Sequence, residues 1–199
     1  MNLPNKITVC RIVLSLLVLL MLSIPFYQMG VEFPSYLVAG KITVNLKYII
    51  AGILFIIASA TDFLDGHIAR KYNLVTDFGK VMDAIADKIL VNGILIILAV
   101  DGFIPAIIPV IIITRDTFVD SIKMVAGQKG GKAVGASIWG KAKTVCMMTG
   151  VSFMLLYNLP FELVGVNVSL ALIVIATVLS IVSGIQYFMS YKEALTKEM

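Results

Sequence analysis

Charge is scarce in this chain: only 14% of its 199 residues are charged, 59% are hydrophobic and the mean hydropathy is +0.99. That balance excludes an ordinary soluble domain. The only histidine, His67, has no histidine or cysteine at ligand spacing, which argues for a surface residue and against a histidine metal centre. Cys10 and Cys146 lie within or beside apolar stretches, again without ligand spacing, and read as packing residues. No internal repeat, heptad array or low-complexity tract is present. The basic and then apolar start lacks a small-residue cleavage site after Ile24 to Gln28, so it reads as a retained helix and not a signal peptide.

What fills the chain instead is a series of apolar runs: Ile12 to Tyr27, Tyr48 to Ala60, Ile89 to Val100, Phe103 to Thr114, Thr144 to Leu159 and Leu163 to Tyr191. Together they predict an all-α polytopic membrane protein with six transmembrane helices, residues 1–199 forming a single integral membrane domain. Runs two, three and four are too short alone to cross about 30 Å of hydrocarbon at about 1.5 Å per residue. Each is expected to continue into a polar stretch that faces the bundle interior or a wet cavity. Six alternating helices starting inside leave only Lys41 and Lys47 outside; every other Lys and Arg falls on the cytosolic face. That basic face suits anionic headgroups, phosphates and nucleotides; no nucleic-acid partner is expected.

The polar stretches of runs two and three carry Asp62, Asp65, Asp83 and Asp87. On a helix, the first pair is three residues apart and the second four, so each pair projects from one face. A short link, Lys71 to Phe78, makes the two helices an antiparallel hairpin with the aspartates at its base. Carboxylates gathered at membrane depth repel one another and are costly to desolvate, and hard divalent cations would neutralise them.

Asp62, Asp65, Gly66, Ala69, Arg70, Gly79, Asp83 and Asp87 match D-x-x-D-G-x-x-A-R, eight residues, G-x-x-x-D-x-x-x-D at every defined position. This resembles the signature of the CDP-alcohol phosphotransferase family of integral membrane enzymes. The resemblance implies that family's fold and a catalytic domain spanning the chain. It implies two divalent cations, Mg²⁺ or Mn²⁺, bound by Asp62, Asp65 and Asp83 with Asp87 alongside, and Asp87 as the base that takes a proton from the acceptor hydroxyl. Gly66 and Ala69 leave room for a nucleotide or serve helix packing; Arg70 pairs with phosphate or anchors the helix; Gly79 opens helix three or is a plain turn residue. Pro4, Asn5, Thr8 and Arg11 are similar to the family's P-N-x-x-T-x-x-R start, where Asn5 and Thr8 either meet the cytidylyl group or cap the helix.

Acceptors in the family include glycerol 3-phosphate, inositol or its phosphate, serine, choline, ethanolamine, or another phospholipid such as phosphatidylglycerol. Arg115 with Lys141, Lys143 and Thr144 supplies positive charge near the aspartates and favours a phosphorylated acceptor, or else these residues are topological anchors. They resemble the branch that joins CDP-diacylglycerol to glycerol 3-phosphate, although Asp116 stands where Glu is expected there. The resemblance further implies a homodimer in a bacterial plasma membrane among membrane lipids, with the site facing the cytoplasm. The glycine-rich loop 126–137 is a lid over phosphate or a plain linker. Gly135 to Ala142 nearly spells a P-loop, but Ala142 replaces the Ser/Thr and no strand precedes it. A divalent-cation transporter is the rival class; it predicts polar or broken segments in the second half, and helices five and six lack them.

Overall fold

The protein is represented by a computed structural model that describes residues 2–72, 76–128 and 137–196, with side chains left out at positions 3, 63, 67–70, 77, 78, 80, 126–128 and 192–196. The described residues form six α-helices: α1 (Leu3–Ser23), α2 (Leu46–Lys71), α3 (Asp77–Val100), α4 (Ile107–Gln128), α5 (Ile138–Leu155) and α6 (Val168–Thr196). Two of the six apolar runs, Tyr48 to Ala60 and Ile89 to Val100, sit wholly within longer helices that take in the adjoining charged residues, and the first, fourth and fifth overlap α1, α4 and α5 but run past one helix end. Their backbone groups must be satisfied internally at membrane depth, so the helix carries on through the polar residues. The last run differs. Leu163 lies in a 3₁₀ turn, Phe161–Val164, closed by left-handed Gly165, and α6 begins at Val168.

Helix ends follow local chemistry. Pro4 sits in the first turn of α1, where its missing N–H costs nothing. Thr76 and Ser137 cap α3 and α5, their hydroxyls accepting from the N–H of Gly79 and Gly140. The segment between the first two apolar runs is ordered. It contains a hairpin of β1 (Ser35–Val38) and β2 (Ile42–Asn45), paired antiparallel from Ser35 opposite Asn45 to Val38 opposite Ile42. Ala39 and Gly40 turn the chain with φ of 50° and 66°.

Among the described residues, three helices are long and apolar enough to cross a membrane by length and composition: Pro4–Ser23, Leu46–Gly66 and Val168–Tyr191. The expectation of six met a simple obstacle in the others. α3 carries Asp83, Asp87 and Lys88, α4 carries Arg115, Asp116, Asp120 and Lys123, and α5 has 18 residues with Lys141 and Lys143 among them.

α1 lies against both α2 and α3, α5 joins α2 to α6, and α4 packs on α3 and α6. Val18, Phe55, Leu90, Ile94, Leu98, Ile112, Val151, Leu155 and Ile173 form the shared apolar centre. Glycines mark the tightest crossings, as packing between membrane helices favours. A carbon added to Gly52 would lie 2.9 Å from Leu156 Cδ2, and one on Gly93 2.6 Å from Leu19 Cδ2. At Gly150 it would lie 2.9 Å from Ile173 Cγ1 and 3.1 Å from the Ile173 backbone nitrogen, which no rotamer relieves.

At one end of the bundle, an aromatic cluster joins Tyr48, Phe103 and Tyr157, with ring centroids 5.1–5.8 Å apart. Tyr48 Oη donates to Asp101 Oδ2 at 2.5 Å, and Lys47 Nζ donates to the Leu22 carbonyl at 2.7 Å. The aspartates gather at the opposite end.

Gly150→Leu is expected to cost about 1–3 kcal/mol by overpacking the α5–α6 crossing. Thermal unfolding in detergent should show a lowered midpoint for this variant and none for Gly140→Ala, whose added carbon meets only Ser137 Oγ at 3.5 Å.

Candidate active site

Three helices bring the site together. Asp62 and Asp65 come from the last turns of α2, Asp83 and Asp87 from the first half of α3, and Thr8 and Arg11 from the start of α1. One carboxylate oxygen each from Asp62, Asp65 and Asp83 lies within 4.8 Å of the other two. Asp65 is buried at 2% exposure, while the Asp62 and Asp83 side chains keep 32% and 40%. Asp87 stands outside that triad but faces the same centre.

The centre is occupied by Arg11, whose side chain is 1% exposed. Its Nη1 donates to Asp62 Oδ1 and lies 3.3 Å from Asp83 Oδ1 and 3.7 Å from Asp87 Oδ1; its Nη2 donates to Asp65 Oδ2. One turn earlier, the Thr8 hydroxyl sits 3.3 Å from both Asp65 Oδ2 and Asp83 Oδ1 and can donate to one of them at a time. Asn5 takes a different part. Its amide donates to Thr76 Oγ1 at 3.1 Å, tying α1 to the cap of α3. The crowding there explains Gly79: an added carbon would lie 2.7 Å from Asn5 Oδ1 and 3.0 Å from Thr76 Oγ1. Gly66 lies one residue beyond Asp65 on α2; the Ala69 and Arg70 side chains fall outside the described set, as does most of the loop 126–137.

Beside Asp87 opens a cavity of about 340 Å³ between α3, α4 and α5. Lys143 and Thr144 line it, as do Lys88, Lys123, Asp116 and Asp120, which the sequence reading had not placed in the site. Lys143 Nζ donates to Asp116 Oδ1 at 2.7 Å, and Lys88 pairs with Asp120. Arg115 turns the other way, toward α6: Nη1 reaches Asp116 Oδ1 at 2.8 Å and Nη2 the Ser183 hydroxyl at 2.7 Å. Lys141 is exposed and is not among the lining residues. Cys10 is exposed on α1 and Cys146 half-buried, so only the second has a packing role.

A signal for the missed residues was present. Arg11 interrupts an apolar run just as the aspartates do, and an ionised group at that depth needs a partner of opposite sign. Asp116 and Asp120, one turn apart on α4, demand cationic partners by the same logic.

Residues 1–182 match the CDP-alcohol phosphatidyltransferase family. The chain belongs to that family. It is an integral membrane enzyme, a CDP-alcohol phosphatidyltransferase. Three curated relatives carry the name CDP-diacylglycerol–glycerol-3-phosphate 3-phosphatidyltransferase. The Bacillus subtilis protein is 41% identical over 98% of this chain and 97% of its own, and the Rickettsia bellii protein is 34% identical over 96% of each. The Haemophilus influenzae protein is 30% identical over 98% of this chain and 95% of its own.

Phosphatidyltransferases of this family use divalent metals, and the donor set can be tested for fit. The triad offers only carboxylate oxygens, the hard donors that such cations prefer. Asp65 Oδ1 is buried without a hydrogen-bond partner among the described residues, a costly state for an acceptor that serves no ligand. The residues therefore fit a divalent cation.

Asp116→Asn should cost about 3 kcal/mol, because it leaves the largely buried Lys143 ammonium without its counter-charge. Adding Lys143→Met to it should recover most of the loss. Unfolding midpoints of the two single variants and the double variant in detergent check this; equal midpoints throughout would show that the pair carries no stability.

Proposed function

We propose that this chain transfers the phosphatidyl group of CDP-diacylglycerol to sn-glycerol 3-phosphate, giving phosphatidylglycerophosphate and CMP. The observation that carries the reading is the placement of Asp87 at the seam between the carboxylate cluster and the lysine-lined cavity. One side suits the cytidine diphosphate end of a lipid, and the other a small phosphorylated alcohol. The names of relatives that match nearly end to end support the same pair of substrates.

Asp87 is assigned as the base: its carboxylate takes the proton of the acceptor hydroxyl. The acceptor oxygen then bonds to the lipid-bearing phosphorus as the bond to the bridging oxygen breaks, and CMP leaves with that electron pair. Lys143 and Thr144 hold the acceptor phosphate inside the cavity, with Lys88 and Lys123 adding charge around it and Lys141 at its approach. Arg115, through Asp116, fixes the position of Lys143. Asp62, Asp65 and Asp83, with Asp87 beside them, are assigned to hold two divalent cations, Mg²⁺ or Mn²⁺, which when bound neutralise the diphosphate and the charge developing on CMP. Gly66, Ala69 and Arg70 are assigned to the CDP end of the lipid. Asn5, Thr8 and Gly79 set the helix start against which the nucleotide lies.

The reading includes six spans in a single domain of residues 1–199, with the site facing the cytoplasm of a bacterial plasma membrane. The separation of Lys41 and Lys47 from the aspartate end of the bundle supports that orientation. Family likeness supports a homodimer.

Purified protein in detergent is expected to release CMP from CDP-diacylglycerol when glycerol 3-phosphate is present, and not with serine, inositol phosphate or phosphatidylglycerol in its place. Release with one of those instead would reassign the acceptor, and no release with any of them would overturn the glycerol 3-phosphate assignment. Excess EDTA should stop turnover, and Mg²⁺ or Mn²⁺ should restore it. Asp87→Asn should lower turnover at least about 100-fold with the fold intact; full turnover would remove Asp87 from the role of base.

A further inference from the structure

Arg11 has no part in the reaction as assigned above, yet it is the best-connected side chain in the site. Four carboxylates surround one guanidinium that is almost wholly out of solvent. Without it, the cluster would lose a cation that lies within reach of all four carboxylates. Mutual repulsion would then push the ends of α2 and α3 apart or force protons onto the acids. The contacts are also competitive. Arg11 touches one oxygen from each of Asp62, Asp65 and Asp83, the three residues whose oxygens lie close enough to share a cation. A guanidinium and a metal ion seated among these three carboxylates would compete for the same space and the same negative charge.

We propose that Arg11 is a resident counter-cation, whose guanidinium holds the four aspartates together in the metal-free protein and is displaced when divalent cations load. The inference rests on the reading that these aspartates bind metal, and it assigns Arg11 as a positioning residue. Two further observations fit an exchangeable partner. Arg11 Nε is buried without a hydrogen-bond partner among the described residues, so the side chain is not anchored along its own length. Asp65 Oδ1, buried and unpartnered on the same carboxylate that Nη2 holds, gives an arriving cation a first ligand before the guanidinium lets go.

An ordinary structural arginine and an exchangeable one differ in the sign of one measurement. Removing a structural residue loosens the site and weakens metal binding. Removing a competing positive charge strengthens metal binding while the metal-free protein loses stability.

The experiment uses the full chain in detergent with Mn²⁺ as the probe. Free Mn²⁺ is counted by its paramagnetic resonance signal, and unfolding is followed by circular dichroism in EDTA and in Mn²⁺. Arg11→Gln is expected to lower the EDTA midpoint by several degrees and to bind Mn²⁺ at least about tenfold more tightly than the parent. Arg11→Lys keeps the charge without the fork and should fall between the two on both scales. An Arg11→Gln protein that folds only with Mn²⁺ present is the limiting case of the same result. Unchanged or weaker Mn²⁺ binding by Arg11→Gln, or its failure to fold even with Mn²⁺, would overturn the proposal. If the parent binds no Mn²⁺, the metal assignment itself falls, and the Arg11 role falls with it.

Discussion

The structure turns on charge compensation at one end of a helical bundle. Asp62, Asp65, Asp83 and Asp87 all lie against the Arg11 guanidinium from α1, which ties the ionised groups of three helices to one point. Ionised side chains in an apolar surround are tolerated only when a partner is close, and breaking one such pair leaves an uncompensated charge. This explains why α1 lies against both α2 and α3, and why the junction is closed by a second, neutral tie. Asn5 bonds the Thr76 cap of α3, over a glycine that admits it.

Around this point the molecule divides into regions with different rules. The apolar centre is held by shape: small residues at the crossings bring helix backbones together where lipid gives no hydrophobic drive for helices to associate. The far end is held by aromatic edges and a few hydrogen bonds, including those of Tyr48 and Lys47. Among the described residues, the aspartate end and the cavity beside it are where opposite charges collect in quantity. There lysine pairs with aspartate and arginine with aspartate, the Lys143–Asp116 pair largely buried and the Lys88–Asp120 pair partly open to solvent.

Much of this was legible from residue order. The aspartate spacing placed Asp62 and Asp65 on one helical face and Asp83 and Asp87 on another, and the short link between the helices brought the two faces to the same end. The lengthening of apolar runs through polar stretches followed from backbone satisfaction alone. What could not be read was the occupant of the middle. Arg11 belongs to a helix more than fifty residues from its first aspartate partner in the chain, and a basic residue near a helix start has a ready topological explanation that hides its contacts. Arg115 shows the reverse: its charge suggested a phosphate ligand, but Asp116 and Ser183 hold its Nη1 and Nη2. The hairpin at Ser35–Asn45 lay in a stretch with turn residues and little hydrophobic contrast, where strand and loop look alike.

The location of α1 between its two partners has a consequence for biogenesis. A nascent chain emerges from the ribosome with Arg11 first, the α2 acids about fifty residues later and the α3 acids about twenty after those. Among the five clustered groups alone, the balance changes with each helix: one cation on α1, a slight excess of acid once Asp62 and Asp65 follow, and a larger one when Asp83 and Asp87 join them. The carboxylates of the second helix are thus the first partners that Arg11 meets, and the third helix arrives at a junction already begun, bringing the cluster's surplus of negative charge.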